Sequence, residues 1–418
     1  MTESLSDANS AIHLASADFL LSPLGRAAAQ SLATADLCEE HTLNLLTTLR
    51  RDFSPMQAGA LLTLARLRQR AKNKFPWAEQ MFFTPEALEQ ATAWPVAEHR
   101  ADWFARFAPP GPLLDLGCGI GGDTLALAQH RHVIAVEQEP VRLRFAQANA
   151  AVFGLERQIE FRQADFTTGS LPTVAAAFID PARRSAGKRI FSLHQMQPPL
   201  AALLRLQQQL PHLGVKVMPS VKDDELPVAC SVEFVSHAGV CKEAVLWFGL
   251  LAQEKRYANI HSAGPHFTGW QRLVSSGLRP PLGELQAGQF LHEPDPAVIR
   301  AGALVELCQR LQAHLFDAQI AYLVSPNFDL QNRAGAMPLP VQSFQLEEIH
   351  PFSLKHLNQR LLALGIGQVE LKKRGFPTEP ELLRNRLKLT PGGRAGVVIF
   401  TQRAGEHLML IGKRVYPA

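Results

Sequence analysis

The stretch Leu113-Leu-Asp-Leu-Gly-Cys-Gly-Ile-Gly-Gly-Asp-Thr-Leu-Ala126 constrains the fold of this chain more than any other. The apolar residues Leu113, Leu114 and Leu116 read as a buried strand, glycines follow at 117, 119, 121 and 122, and a helix-periodic run starts at Leu125. Strand, tight turn and helix in that order open a βαβ unit. Glycines let the backbone turn sharply and leave no Cβ between it and a ligand, while the helix behind presents free N–H groups.

Such a turn alone fits many nucleotides. Asp115 narrows the choice, because a carboxylate held inside the turn accepts from a ligand amine or braces the loop, and repels a pyrophosphate. A second predicted strand, Val133–Val136, ends in Glu137, 22 residues after Asp115, where an acid suits both hydroxyls of a ribose. A third, Ile159–Phe161, leads to Asp165 and Phe166, an acid and a ring suited to an adenine amine and face. Three carboxylates favour a cationic adenine nucleoside, so S-adenosylmethionine is the expected cofactor and NAD fits poorly. Asp115, Gly117, Gly119, Gly121, Glu137, Gln138, Asp165 and Phe166 are its candidate ligands. The order Asp-x-Gly-x-Gly-x-Gly, Glu, Ala-Asp-Phe resembles class I S-adenosylmethionine-dependent methyltransferases. The resemblance implies a seven-stranded Rossmann-like sheet with an antiparallel last strand.

The fourth strand of the series, Ala176–Asp180, stops at Pro181-Ala-Arg-Arg184. Ligands of open α/β sheets lie outside the carboxyl ends of strands, so this loop is expected to face the transferred methyl. A carboxylate with a neighbouring carbonyl accepts both N–H groups of an exocyclic amine and aims its lone pair. Asp180, Pro181 and Arg183 are therefore the candidate catalytic residues. An ordinary strand-end turn is the competing reading of Asp180-Pro.

Residues from about 75 to 220, with Thr84-Pro-Glu86, Asp115 to Thr124, Val133 to Pro140 and Ala164-Asp-Phe166, are similar to the core of trimethylguanosine synthase-type RNA methyltransferases. That family has Ser-Pro-Pro-Trp at the fourth strand, where this chain has Asp180-Pro-Ala-Arg183 and lacks the ring that stacks on guanine. An Asp at the first position resembles amino-methyltransferases acting on exocyclic amines, which continue with Pro-Pro and an aromatic residue.

Charge distribution bears on partners more than the net charge of +4. Between Pro351 and Ala418 twelve Lys or Arg residues face four acids. The strand–helix alternation there, with Arg374-Gly-Phe-Pro377 and Arg384-x-Arg386, resembles the THUMP-like C-terminal domains of bacterial class I methyltransferases. The resemblance implies RNA as partner, tRNA or rRNA among the candidates. The candidate phosphate contacts are Arg70, Lys72 and Lys74 on a basic N-terminal helix, Arg184 beside the acceptor loop, and Lys372, Lys373 and Arg374 at a strand end; a solvated helix surface and a basic dimerisation domain are the competing readings of the first and last groups.

The expected domains are a helical region over residues 1–100, a cofactor-binding core over 101–252, a linker or lid with a connecting α/β segment over 253–341 and a basic THUMP-like α+β domain over 342–418. Five cysteines without a C-x-x-C pair suggest neither disulfides nor a metal site. No apolar run is long enough for a membrane span and the N-terminus lacks a signal-peptide pattern, so the expected location is the cytoplasm. An RNA base nitrogen is the first acceptor class, a small molecule the second. A non-catalytic RNA-binding scaffold is the third reading, and oligomeric state is not specified.

Overall fold

A computed structural model describes residues 14–168, 171–181, 184–185, 188–189, 192–264, 267–328 and 338–415. The chain forms two compact units: residues 1–231 with 245–253, and residues 232–244 with 254–418.

The first unit opens with helices α1 (Pro23–Ser31), α2 (Glu39–Asp52), α3 (Pro55–Ala71), α4 (Pro85–Gln90) and α5 (Trp94–Phe107). Their starts follow from local chemistry. Ser54 and Gln57 form a reciprocal capping box before α3, and the Thr84 hydroxyl accepts from the Ala87 N–H before Pro85 at the first position of α4.

Then come β1 (Leu113–Leu116), α6 (Gly122–Ala128), β2 (Val133–Glu137), α7 (Pro140–Phe153), β3 (Ile159–Gln163), β4 (Ala176–Ile179), α8 (Leu200–Gln209) and β5 (Leu213–Val217). The five strands are parallel, in the order β3-β2-β1-β4-β5. All of β1, β2, β4 and β5 is buried, as expected of a parallel sheet covered on both faces. The strand order reverses at β1 and β4, and their carboxyl ends place Gly117 and Asp180 side by side.

A hairpin of β6 (Ser231–His237) and β7 (Val240–Trp247) supplies the expected last pair of strands. Among the described residues two further strands follow that the seven-stranded expectation did not include. Strands β8 (Arg256–Ala263) and β9 (Thr268–Val274) form an antiparallel pair, and β8 runs parallel to β6. These two strands and β10 (Phe290–Pro294) lie where a linker or lid was expected.

In the second unit β10 joins a seven-stranded sheet with β11 (His314–Leu315), β12 (Leu323–Ser325), β13 (Val341–Pro351), β14 (Ile366–Lys373), β15 (Arg394–Arg403) and β16 (Glu406–Val415). Both of its faces are apolar. Val397, Ile399, Leu408 and Leu410 pack on one side, and Val398, Phe400, Met409 and Ile411 on the other, with Leu357 and Leu361 of the helix Leu354–Ala363. No helix among the described residues is long and apolar enough to cross a membrane.

Candidate active site

A cavity of about 570 Å³ opens at the carboxyl ends of β1, β2 and β4. Among its lining residues are Asp115, Gly117, Gly119, Glu137, Gln138, Asp165, Phe166, Asp180 and Pro181, so these nine sequence candidates share one wall. Gly117 has φ +83, and a Cβ there would lie 3.1 Å from the Asp180 carbonyl oxygen and 3.9 Å from the Phe166 ring. Glycine keeps open the space between the loop after β4 and that ring. At Gly119, φ +58, a Cβ would meet nothing within 4 Å.

The acids differ in role. Asp115 is fully buried and its Oδ2 accepts from the Thr124 hydroxyl at 2.5 Å, which ties the turn to α6. Burial pushes its carboxyl up to about 6; the Thr124 hydroxyl works against this, and the Asp180 charge adds to it. Glu137 accepts the Gly119 N–H on Oε2 and the Glu139 N–H on Oε1, each at 2.9 Å. A carboxylate oxygen has two lone pairs, so a diol can still be received. Asp165 is exposed and accepts from the Thr167 hydroxyl and N–H, which hold its carboxyl below the usual range.

Behind the cavity is a polar chain that was not anticipated. Lys216 Nζ on β5 donates to Asp180 Oδ2 at 2.7 Å and to Thr92 Oγ1 at 2.9 Å. Thr92 donates to Asp123 Oδ2 at 2.8 Å, and Asp123 pairs with Arg100, whose guanidinium lies 4.2 Å over the Phe178 ring. One sequence signal existed: Lys216 interrupts the apolar run Val215-Lys-Val-Met218. Arg142, Gln197 and Arg205 also line the cavity without having been singled out.

Other candidates do not join this wall. Gly121 is absent from the lining, and a Cβ there would make only ordinary contacts with Leu125 and Ala146 at 3.5 and 3.7 Å, so its φ of +92 at the start of α6 is what favours glycine. Arg183 lies outside the described residues. Arg184 falls in a two-residue strand, and its side chain is outside the description.

The cations expected to meet phosphates are largely engaged. Lys74 Nζ donates to the Leu88, Glu89 and Ala91 carbonyls at 2.7–3.0 Å, capping the end of α4, and Lys72 pairs with Glu79. Arg70 is exposed. In the second unit Lys372 meets Glu293 at 2.5 Å, Lys373 meets Glu379 at 2.5 Å, and Arg374 lies 3.5 Å from Glu293 and over the Tyr322 ring. A basic run in sequence is thus an ion-paired cluster in space.

Known proteins place this geometry. A methyltransferase domain model matches residues 110–250, a THUMP domain-like model residues 341–414, and a domain of unknown function residues 13–71. An uncharacterised S-adenosylmethionine-dependent methyltransferase of Mycobacterium tuberculosis is 34% identical over 363 residues, covering 84% of this chain and 94% of the relative. The chain belongs to the S-adenosylmethionine-dependent methyltransferases. An uncharacterised RNA methyltransferase of Parasynechococcus marenigrum is 33% identical over 101 residues, covering 23% of this chain and 22% of the relative. A crystal structure of a candidate methyltransferase from Porphyromonas gingivalis superposes with a TM-score of 0.68 at 20% identity, over 90% of this chain and 99% of that one, and shares the fold. The cofactor of this methyltransferase is S-adenosylmethionine, and the cavity's donor set suits it: carboxylates for an amine and a diol, a ring, and a glycine cradle that any Cβ would narrow.

Proposed function

We propose that this methyltransferase modifies a nitrogen of a base in structured RNA, of the tRNA or rRNA class. The carrying observation is Asp180. Its carboxylate lines the cavity at the end of β4, and its own carbonyl oxygen flanks the open side of Gly117.

Bound S-adenosylmethionine supplies an electrophilic methyl on a sulfonium. Phe166 offers a face to the adenine and Asp165 an acceptor to its amine, while Glu137 receives the ribose hydroxyls with Gln138 beside it. Asp115 braces the turn through Thr124, and Gly117 and Gly119 give close backbone approach. At the acceptor side the Asp180 carboxylate and carbonyl take the two N–H groups of an amine. This orients its lone pair and stabilises the positive charge that develops on nitrogen. Pro181 removes a competing backbone donor, and Arg183 follows two residues later in the sequence.

RNA as the acceptor is supported by the THUMP domain-like match and by the partial relative described as an RNA methyltransferase. Surface charge adds to this. Lys355, Arg386 and Lys388 are exposed and form no ion pair with another described residue. Asn358, on the same helix as Lys355, holds the other two, donating to the Arg386 carbonyl at 3.0 Å and accepting the Lys388 N–H at 2.8 Å.

A small-molecule acceptor is the second reading, favoured by the neutralisation of Lys372, Lys373 and Arg374 by acids. Two measurements separate the readings: mass spectrometry of nucleosides from a deletion strain, and transfer of labelled methyl from S-adenosylmethionine to that strain's RNA by purified protein. One methylated nucleoside is expected to be missing and to be restored in vitro. An unchanged nucleoside profile with no label in RNA would overturn the RNA reading.

A further inference from the structure

Lys216 is an expensive residue to place where it stands. Its side chain is 2% exposed, on a strand whose five residues are all buried, and an ammonium taken out of water costs several kcal/mol unless it is paired. Burial of such a pair adds little net stability over an apolar filling, so packing alone gives no reason for it. Its position gives one. Ile179 of β4 lies opposite Val215 of β5, so the next residues, Asp180 and Lys216, are neighbours at the carboxyl ends of the two strands. The ammonium reaches Asp180 Oδ2 from beneath the cavity floor, while the 23% exposed side chain of Asp180 faces the cavity.

Its second contact leads away from the reacting centre. Thr92 accepts from Lys216, donates to Asp123 and itself lines the cavity between α4 and α5. Asp123 is fixed by Arg100, which is 2% exposed. A rigid line of charge-assisted bonds therefore runs from α5 through the wall above α6 to the acceptor loop. At each link the carboxylate rotamer is set by a partner that cannot move without leaving a buried charge unpaired.

We infer that Lys216 is a positioning residue: together with Thr92 it clamps the Asp180 carboxylate in the orientation that receives the acceptor's N–H groups. This rests on the reading of Asp180 given above. The clamp works on placement, so its loss falls on turnover and leaves cofactor binding alone. Misplacement by about 1 Å can cost about 100-fold in rate.

The test compares Lys216→Met, Lys216→Arg and Thr92→Val with wild type, using labelled transfer to deletion-strain RNA, calorimetry with S-adenosylhomocysteine and crystal structures of the S-adenosylhomocysteine complexes. Lys216→Met is expected to lower kcat about 100-fold with KM for S-adenosylmethionine and affinity for S-adenosylhomocysteine unchanged. Lys216→Arg should recover part of kcat. Thr92→Val, which keeps volume and removes both the acceptor for Lys216 and the donor to Asp123, should cost less than Lys216→Met and carries the test if the latter does not fold. In the Lys216→Met complex the Asp180 carboxylate should leave its wild-type position by more than about 1 Å. Wild-type kcat in Lys216→Met, or an unmoved Asp180 carboxylate, would overturn the inference. Equal losses of cofactor affinity and turnover, without rescue by arginine, would overturn it in favour of a structural role. If wild type labels no RNA, the acceptor reading has failed, and the crystallographic comparison still decides the clamp.

Discussion

At the residue scale, the cavity floor carries two acids of opposite circumstance. Asp180 lines the cavity at the end of β4 and is proposed to hold the acceptor, so Asp180→Ala is expected to reduce kcat by at least about 100-fold while S-adenosylhomocysteine affinity changes less than about threefold. Parallel loss in calorimetry would place Asp180 in the cofactor site instead. Asp115 is buried and titrates near 6, above its ordinary 3.8. In cofactor-free protein the folded chain keeps a proton there that the unfolded chain releases near pH 4. The stability contributed is complete below about pH 4 and is lost as pH rises through about 6. Calorimetric unfolding across that window should show the decline in wild type and a flatter curve in Asp115→Asn. An unchanged slope in the variant would contradict it. Both acids were legible from their place beside glycines and at a strand end. Lys216 and Thr92 were not assembled beforehand, because they lie 124 residues apart and meet only through the sheet.

At the element scale, β1, β2 and β4 were legible because each is a short apolar run followed by a turn signal, and β3 because Ile159 and Phe161 alternate with polar residues. Strands β8 and β9 were not. Five residues of β8, Tyr257 to His261, are buried, yet Asn259 and His261 stand among them, and the Asn259 amide is satisfied by the buried Glu233 carboxylate at 2.6 Å. Hydropathy misses a polar residue whose partner lies on another strand. The basic stretch at and just beyond the end of α3 is in part bonded within the chain. Arg68 is buried, donating to the Met81 and Gln80 carbonyls, and Lys74 closes the end of α4. Lys74→Ala should therefore lower stability by about 1 to 2 kcal/mol in chemical denaturation and leave RNA affinity within about twofold. A stable variant with tenfold weaker RNA binding would return Lys74 to the phosphate-contacting surface.

At the scale of the whole molecule, charge must be counted after pairing. Lys372 and its neighbours are cationic in sequence, but acids as distant in sequence as Glu293 neutralise them; Lys355, Arg386 and Lys388 are not so engaged. Replacing these last three by glutamine should make the log–log salt dependence of RNA binding shallower by about two to three, since each phosphate contact on RNA contributes about 0.7 to 0.9. Replacing Lys372 and Lys373 should change it by less than about one. The reverse ranking in a filter-binding salt titration would move the contact surface to the strand end. The central claim concerns the other unit: acids at the ends of β1, β2 and β3 cradle the cofactor so that its reactive end meets the loop after β4. A crystal structure of the S-adenosylhomocysteine complex tests it most directly. The account predicts adenine against Phe166, ribose hydroxyls on Glu137 and the sulfur directed at Asp180-Pro181; a ligand seated with its sulfur turned away from that loop, or bound elsewhere, would contradict it.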